Sequence, residues 1–337
     1  IYIYIYYIYL YFKMNNERIN QIALTLVPGI GPVQAKQLVE YFGDATSIFK
    51  AKKKELENID GIGTIRANSI KYFSDFERIE NEIKFIEKYK IAPLFITDEN
   101  YPKRLLNCYD SPPILFYKGN ADLNTSKVVS IVGTRKNTEY GKNFTESLIE
   151  GLQEQNVLVI SGLAFGIDTI AHKAALKNNL QTIGCLAHGL NQIYPKVHKK
   201  YVADIEKNGG FYTDFWSSDT FDKNNFLKRN RVIAGLSEAT IVIESAERGG
   251  SLVTADIANS YNRDVFAVPG RTTDSQSIGC NNLIKMLQEM NLCNNFTSYD
   301  IEPQNANVLF KDTLKDFPQG FKVCITNPPY LAQNSAS

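Results

Sequence analysis

Val128-Val-Ser-Ile-Val-Gly-Thr-Arg135 is the stretch that decides the fold. A short apolar, β-branched run ends in a glycine followed by a fixed cation. Such a run, bounded by a breaker, reads as a fully buried strand. Runs of the same kind recur at Val157–Ile160, Thr182–Leu186, Thr240–Ile243 and Val265–Val268, with helix-length stretches between them. Strands alternating with helices predict parallel βαβ units. The expected fold is α/β, an extended Rossmann-like, doubly wound and mostly parallel sheet over residues 91–300. Sheets of this type take ligands outside the carboxyl ends of their strands, at the point where strand order reverses. Function is therefore to be sought in the loops after the strands.

The loop after the first core strand, Gly133-Thr134-Arg135, is not G-x-G-x-x-G. The second strand leads into Ser161-Gly162, not into an acid placed for a ribose hydroxyl. Both absences disfavour a nicotinamide dehydrogenase. A glycine turn beside an arginine fork suits a phosphodiester, with backbone N–H groups at a helix start; a merely solvated arginine is the plainer alternative. In Ser161-Gly-Leu-Ala-Phe-Gly-Ile-Asp168, small residues at Gly162, Ala164 and Gly166 let a backbone come close. Asp168 is placed to cap or orient the next helix, which carries Ala171, His172 and Ala175. His172 reads as a packing residue, because no carboxylate–His–nucleophile set surrounds it.

Residues 223–231, Lys-Asn-Asn-Phe-Leu-Lys-Arg-Asn-Arg, set Lys223, Lys228, Arg229 and Arg231 around Phe226 with no acid among them. Cations with an interleaved ring suit single-stranded nucleic acid: charge for phosphates, a flat face for a base. Two plainer readings stay open, a solvated helix face with Phe226 as its core anchor, and Arg231 as an inward ion-pair partner. Further on, Gly249, Gly250 and Ser251 place N–H donors at another helix start beside Arg248. Together these loops predict one anion-binding groove.

Residues 14–90 have a different rhythm. Ile19, Ile22, Ala23 and Leu26 repeat at helical spacing, then Val27-Pro-Gly-Ile-Gly-Pro32 breaks the pattern. The unit recurs as Ile59-Asp-Gly-Ile-Gly63 before another helix. Helix, Gly-Ile-Gly turn, helix resembles the helix-hairpin-helix motif, so a small all-α domain of helix-hairpin-helix or SAM-like type is expected, either touching DNA or only packing. Phe76, Ile79, Ile83 and Ile86 mark a linking helix.

Both ends look foreign. Residues 1–13 alternate Ile and Tyr, as an AT repeat read in codons would, which makes Met14 the expected start. Residues 301–337 hold Asn327-Pro-Pro-Tyr330, which resembles the motif of adenine-specific DNA methyltransferases. No glycine-rich cofactor loop accompanies it, so an inactive fragment is expected.

Lys plus Arg number 37 against 36 Asp plus Glu, a net charge of +1. Phosphate binding must then come from a local patch. The 5 cysteines form no C-x-x-C pair and the 3 histidines have no metal spacing, so neither metal nor cofactor is expected. The odd cysteine count and the lack of a secretory leader point to reduced thiols in a cytoplasm, with no membrane association.

Taken in order, Gly133-Thr-Arg135, Ser161-Gly162 through Gly166-Ile-Asp168, Ala171-His172, Tyr194-Pro195, Arg229-Asn-Arg-Val-Ile-Ala-Gly-Leu-Ser237, Gly249-Gly-Ser251, Phe266-Ala-Val-Pro-Gly270 and Gly279-Cys-Asn281 resemble the DprA/Smf DNA-processing family, over roughly Arg18 to Asn291. The resemblance implies a homodimer that binds single-stranded DNA without cutting it and loads RecA during natural transformation. It implies that Arg135 and Lys223 hold phosphates and Phe226 stacks a base. Ser161, Gly162, Arg229 and Gly250 would shape the pocket, and residues 279–290 would make dimer or RecA contacts. Leu227 stands where the family often has proline, and the methyltransferase-like tail stands where many members carry a winged helix. The alternative is a phosphoribohydrolase-like enzyme on a similar fold, but Glu247-Arg-Gly-Gly-Ser-Leu-Val-Thr-Ala255 lacks that class's trailing glutamate.

Overall fold

Short apolar periods broken by glycine give small helices, and that is how the described chain begins. The computed structural model describes residues 16–271 and 273–289, with 299–300 and 309–310. The Ile-Tyr leader and the Asn-Pro-Pro-Tyr segment lie outside the described residues. The chain divides into two compact units; one extends to Lys118 and takes in Asp214–Asp219, and the other holds Gly119–Thr213 and continues from Thr220.

In the first unit, helix α1 (16–24) is followed by α2 (Pro32–Phe42), α3 (Ala45–Lys50), α4 (Lys53–Glu57), α5 (Gly63–Lys71) and α6 (Phe76–Tyr89). Proline at the start of α2 and the Asp44 carboxylate, which accepts from Ser47 N at 2.7 Å, fix where helices begin. Ile22, Leu38, Ile48, Leu56, Ile62, Ile70 and Ile79 fill the core. The two Gly-Ile-Gly turns are tied by one side chain. Arg66 donates to Gly29 O at 2.8 Å and to Gly61 O at 2.6 Å, satisfying a carbonyl from each hairpin. A hairpin of β1 (Ala92–Phe95) and β2 (Ile114–Gly119), with the short helix α7 (Lys103–Leu106) between them, pairs antiparallel from Ala92–Tyr117 to Phe95–Ile114.

The second unit is the expected α/β sheet. Its strands are β3 (Val128–Val132), β4 (Leu158–Ser161), β5 (Thr182–Cys185), β6 (Gly209–Thr213), β7 (Ala239–Val242) and β8 (Asp264–Ala267). They lie in the order β6-β5-β4-β3-β7-β8, every neighbouring pair parallel. Helices α8 (Glu139–Gly151), α9 (Ile167–Lys177), α10 (Val202–Lys207), α11 (Asn225–Leu236), α12 (Gly250–Ser260) and α13 (Ile278–Glu289) complete it. Both α9 and α11 pack on β3, β4 and β5. Strands β4 and β5 are buried along their whole length, as a sheet covered on both faces requires. The main core joins Ile131, Val159, Ile167, Ala171, Ile243 and Val268. Strand β6 was not expected from the sequence, because Gly209 and Gly210 carry no strand preference.

His172 lies on α9, 2 % exposed. The Thr182 hydroxyl donates to Val159 O at 3.0 Å, so its oxygen accepts from His172 Nδ1 at 2.7 Å. Burial keeps the imidazole neutral, and its Nε2 meets no hydrogen-bond partner among the described residues. Burial pushes its pKa down to about 3, with the His198 and Arg229 charges adding to the effect. The unfolded chain takes up a proton below about pH 6.5 while the folded chain does not, so this group's contribution falls as pH drops from about 6.5 toward 3. In urea denaturation, His172→Gln should lose about 2 kcal/mol less than the parent between pH 7.5 and pH 5. Parallel losses in the two proteins would show that His172 does not govern acid sensitivity.

Candidate nucleic-acid interface

From β3 the chain moves to β4 on one side, while β7 occupies the other side of β3. The order therefore reverses between β3 and β7, where a doubly wound sheet opens a crevice at its carboxyl edge. A groove of about 380 Å³ lies there. Gly133, Thr134, Arg135 and Lys136 line it from the loop after β3. Phe226, Leu227, Arg229 and Asn230 of α11 form another wall, and Ala246, Gly249, Gly250 and Ser251 lead from β7 into α12.

The expected site residues separate into three groups. Gly133, Thr134, Arg135, Phe226, Arg229, Gly249, Gly250 and Ser251 line the groove. Ser161 and Gly162 are buried and Gly166 half-buried in the loop after β4, outside the lining. The Ser161 hydroxyl is buried and donates to Ile131 O at 2.6 Å. Lys223 and Arg231 are outside the lining; Lys223 is exposed just ahead of α11, and Arg231 is half-buried.

Arg229 is not the solvated cation that its basic run suggested. It is 5 % exposed, and its Nη1 donates to Gly162 O at 2.8 Å and Cys185 O at 2.5 Å, carbonyls beyond β4 and at the end of β5. Asp168 is also buried and lies in its electrostatic field. Burial raises the Asp168 pKa, while the Arg229 charge and loop donors such as Ala164 N lower it. A Cβ on Gly162 would sit 2.1 Å from Arg229 Nη1 and 2.6 Å from Asp168 Oδ2, so only glycine allows this packing. Gly166 has φ +76°, and a Cβ there would meet Thr134 O at 2.3 Å. That close approach lets Ile167 N donate to Thr134 O at 3.2 Å, joining the loops after β3 and β4.

The loop after β3 differs from a simple phosphate cradle. Thr134 N donates to Glu244 O at 2.8 Å and Lys136 N to the Thr134 hydroxyl at 3.1 Å. Those N–H groups hold the loop, and the cationic side chains face the groove. The Glu244 carboxylate accepts from Thr138 N at 2.9 Å and from the Thr138 hydroxyl, at the start of α8. Burial raises its pKa against those bonds. Across the groove, α12 starts at Gly250, where a Cβ would meet nothing within 4 Å, and its first turn carries no acid. An open helix start of this kind favours an anion.

The Phe226 ring is half-buried and lines the groove, outside the core clusters around Ile131 and around Leu163. The Arg135 guanidinium carbon lies over it at 5.2 Å and that of Arg229 at 5.9 Å. Tyr194 and Phe221 pack edge-on to it at 5.8 and 5.9 Å between centroids. The basic run gave no hint of these two rings, and Lys136 was passed over although it follows Arg135 directly.

No group of three or more His, Cys, Asp or Glu side chains among the described residues is arranged to hold a metal ion. No described helix is long and apolar enough to cross a membrane. Arg229→Ala should lower stability in urea denaturation by about 3 kcal/mol or more, because it strands Asp168 and two buried carbonyls, and Lys should restore little of it. A loss within about 0.5 kcal/mol, as at an ordinary surface position, would show that Arg229 is not structural.

Comparison with known proteins fits this geometry. The family described as DNA recombination-mediator protein A matches residues 92–296, and the helix-hairpin-helix motif matches 22–83. Protein Smf of Synechocystis is 34% identical over 288 residues, covering 83% of this chain and 72% of that protein. The crystal structure of DNA processing protein A from Streptococcus pneumoniae superposes with a TM-score of 0.70 at 33% identity, covering 80% of this chain and 92% of the other. A structure of the Helicobacter pylori protein, concerned with its single-stranded DNA binding mode, gives 0.54 at 31% identity over 59% of this chain and 89% of the other. With 205 matched residues (92 through 296) and a fold shared with a solved relative, the chain belongs to the DNA recombination-mediator protein A family, the DprA/Smf proteins.

Proposed function

We propose that the groove between β3 and β7 binds single-stranded DNA without cutting it. The observation that carries this reading is Arg135 lying over the Phe226 ring at the groove wall, opposite the open start of α12. A guanidinium and a helix start suit successive phosphates, and a partly exposed ring suits a base. In a duplex the base faces are already stacked on each other, so such a ring favours unpaired strands. The structure of the H. pylori relative, which concerns single-stranded DNA binding, supports the same reading.

The family is one of recombination mediators rather than enzymes. Asp168 is the one carboxylate lining the groove among the described residues, and it is engaged with Ala164 and in the field of Arg229. Family membership supports a further proposed role. In it the chain acts in the cytoplasm as a homodimer, protects incoming DNA during natural transformation and loads RecA onto it. Residues 279–290 are the proposed region for dimer or RecA contacts. Lys223, exposed beyond the groove lining, would meet the next phosphate along the strand.

Fluorescence anisotropy with labelled oligonucleotides over a salt series tests the assignment. Arg135→Ala and Lys223→Ala should weaken binding equally for all sequences, each flattening the logarithmic salt slope by about 0.7. Phe226→Ala should weaken binding by about tenfold with little change in slope. Unchanged affinity in all three variants would remove the groove as the DNA site. Unfolding of Phe226→Ala would make that ring a structural anchor instead.

A further inference from the structure

Three aromatic rings gather beside the groove. Tyr194 and Phe221 are 43% and 41% exposed, with centroids 4.9 Å apart and ring planes inclined at 48°. Each also touches the Phe226 ring edge-on. Neither belongs to the core cluster around Ile131 or to the one around Leu163. A cluster of large rings left in water costs free energy, and such patches mark binding surfaces.

The chemistry around the rings identifies their occupant. Phe226 has a guanidinium over its ring, whereas no cation lies over Tyr194 or Phe221 among the described residues. Along the chain, exposed Lys196 lies two residues after Tyr194, and exposed Asp222 and Lys223 directly follow Phe221. Exposed rings that continue a groove lined by Arg135 and Lys136 match alternating bases and phosphates. A free phosphate would leave the rings unused. Continuity with the Arg135–Phe226 groove points the same way.

We infer that Tyr194 and Phe221 form a second base-stacking site, which takes a nucleobase of the strand after it leaves Phe226. This rests on the reading of the groove as a single-stranded DNA site. The second site lengthens the footprint and accepts any base, because every base offers a π-face.

The test is anisotropy of the intact protein with oligothymidylates of increasing length, intact or carrying one abasic nucleotide at successive positions. Tyr194→Leu and Phe221→Leu keep apolar bulk while removing the ring. Each should weaken binding of long oligonucleotides by about tenfold, the order that stacking contributes, with an unchanged salt slope. The shortest oligonucleotides that still bind should be unaffected, and Tyr194→Phe and Phe221→Trp should retain full affinity. On the parent protein, an abasic nucleotide should weaken binding at two positions of the strand. With the Leu variants, one of those two losses should vanish.

Parent-like affinity of both Leu variants at every length, with Arg135→Ala still impaired, would overturn the second site and leave the groove standing. Failure of the parent protein to bind any single strand would overturn the groove itself. Were the Leu variants to misfold, the abasic scan on the parent protein decides, and a loss at one position only would refute the second site.

Discussion

A guanidinium enters a protein interior only where acceptors await it, and Arg229 meets that condition with carbonyls from two different strand ends. Gly162 O and Cys185 O lie beyond β4 and at the end of β5, and Asp168 adds its charge from the first turn of α9. The helix that carries Arg229 is thereby held in one register against the sheet. Phe226 stands three residues earlier on α11, a spacing that puts two side chains on one helix face. Fixing Arg229 therefore fixes Phe226 at the groove wall, and Phe226 in turn underlies Arg135. The chain of positioning runs from a buried charge to a surface ring to the cation that would meet a phosphate.

The loops reinforce one another in the same manner. Gly166 allows the loop after β4 to meet Thr134 O, and Glu244 O holds Thr134 N from the β7 side. Arg135 follows directly, so its loop is braced from both neighbouring strands. Near-neutral net charge is compatible with binding a polyanion because the charge is local: Arg135 and Lys136 are exposed at the groove, with Lys223 and Lys228 close by along the chain.

Much of this was legible in the sequence, for physical reasons that differ by element. The β-branched runs gave β3, β4, β5, β7 and β8 to within a residue or two at their ends, because buried parallel strands are apolar throughout. Strand β6 escaped because it opens with two glycines, and β1 and β2 because prolines lie in and just before their short runs. The groove loops could be read from glycines next to cations. What could not be read was which cations face inward. Arg229 and Lys228 are neighbours in sequence, yet one is buried by acceptors supplied 44 and 67 residues away, and the other is exposed. Likewise the use of Thr134 N within the fold depends on a carbonyl at Glu244, which no local pattern reveals. Tyr194 was visible only as part of a Tyr-Pro pair and Phe221 not at all, since ring clusters assembled from separate loops have no sequence period.

Equilibrium binding of the intact chain to a single-stranded oligonucleotide and to a blunt duplex of the same length, at one fixed salt concentration, tests the central claim most directly. Both ligands offer phosphates, but only the unpaired strand offers base faces to Phe226 and its neighbours. The account predicts at least tenfold tighter binding of the single strand. Equal affinity for the two, or preference for the duplex, would contradict it.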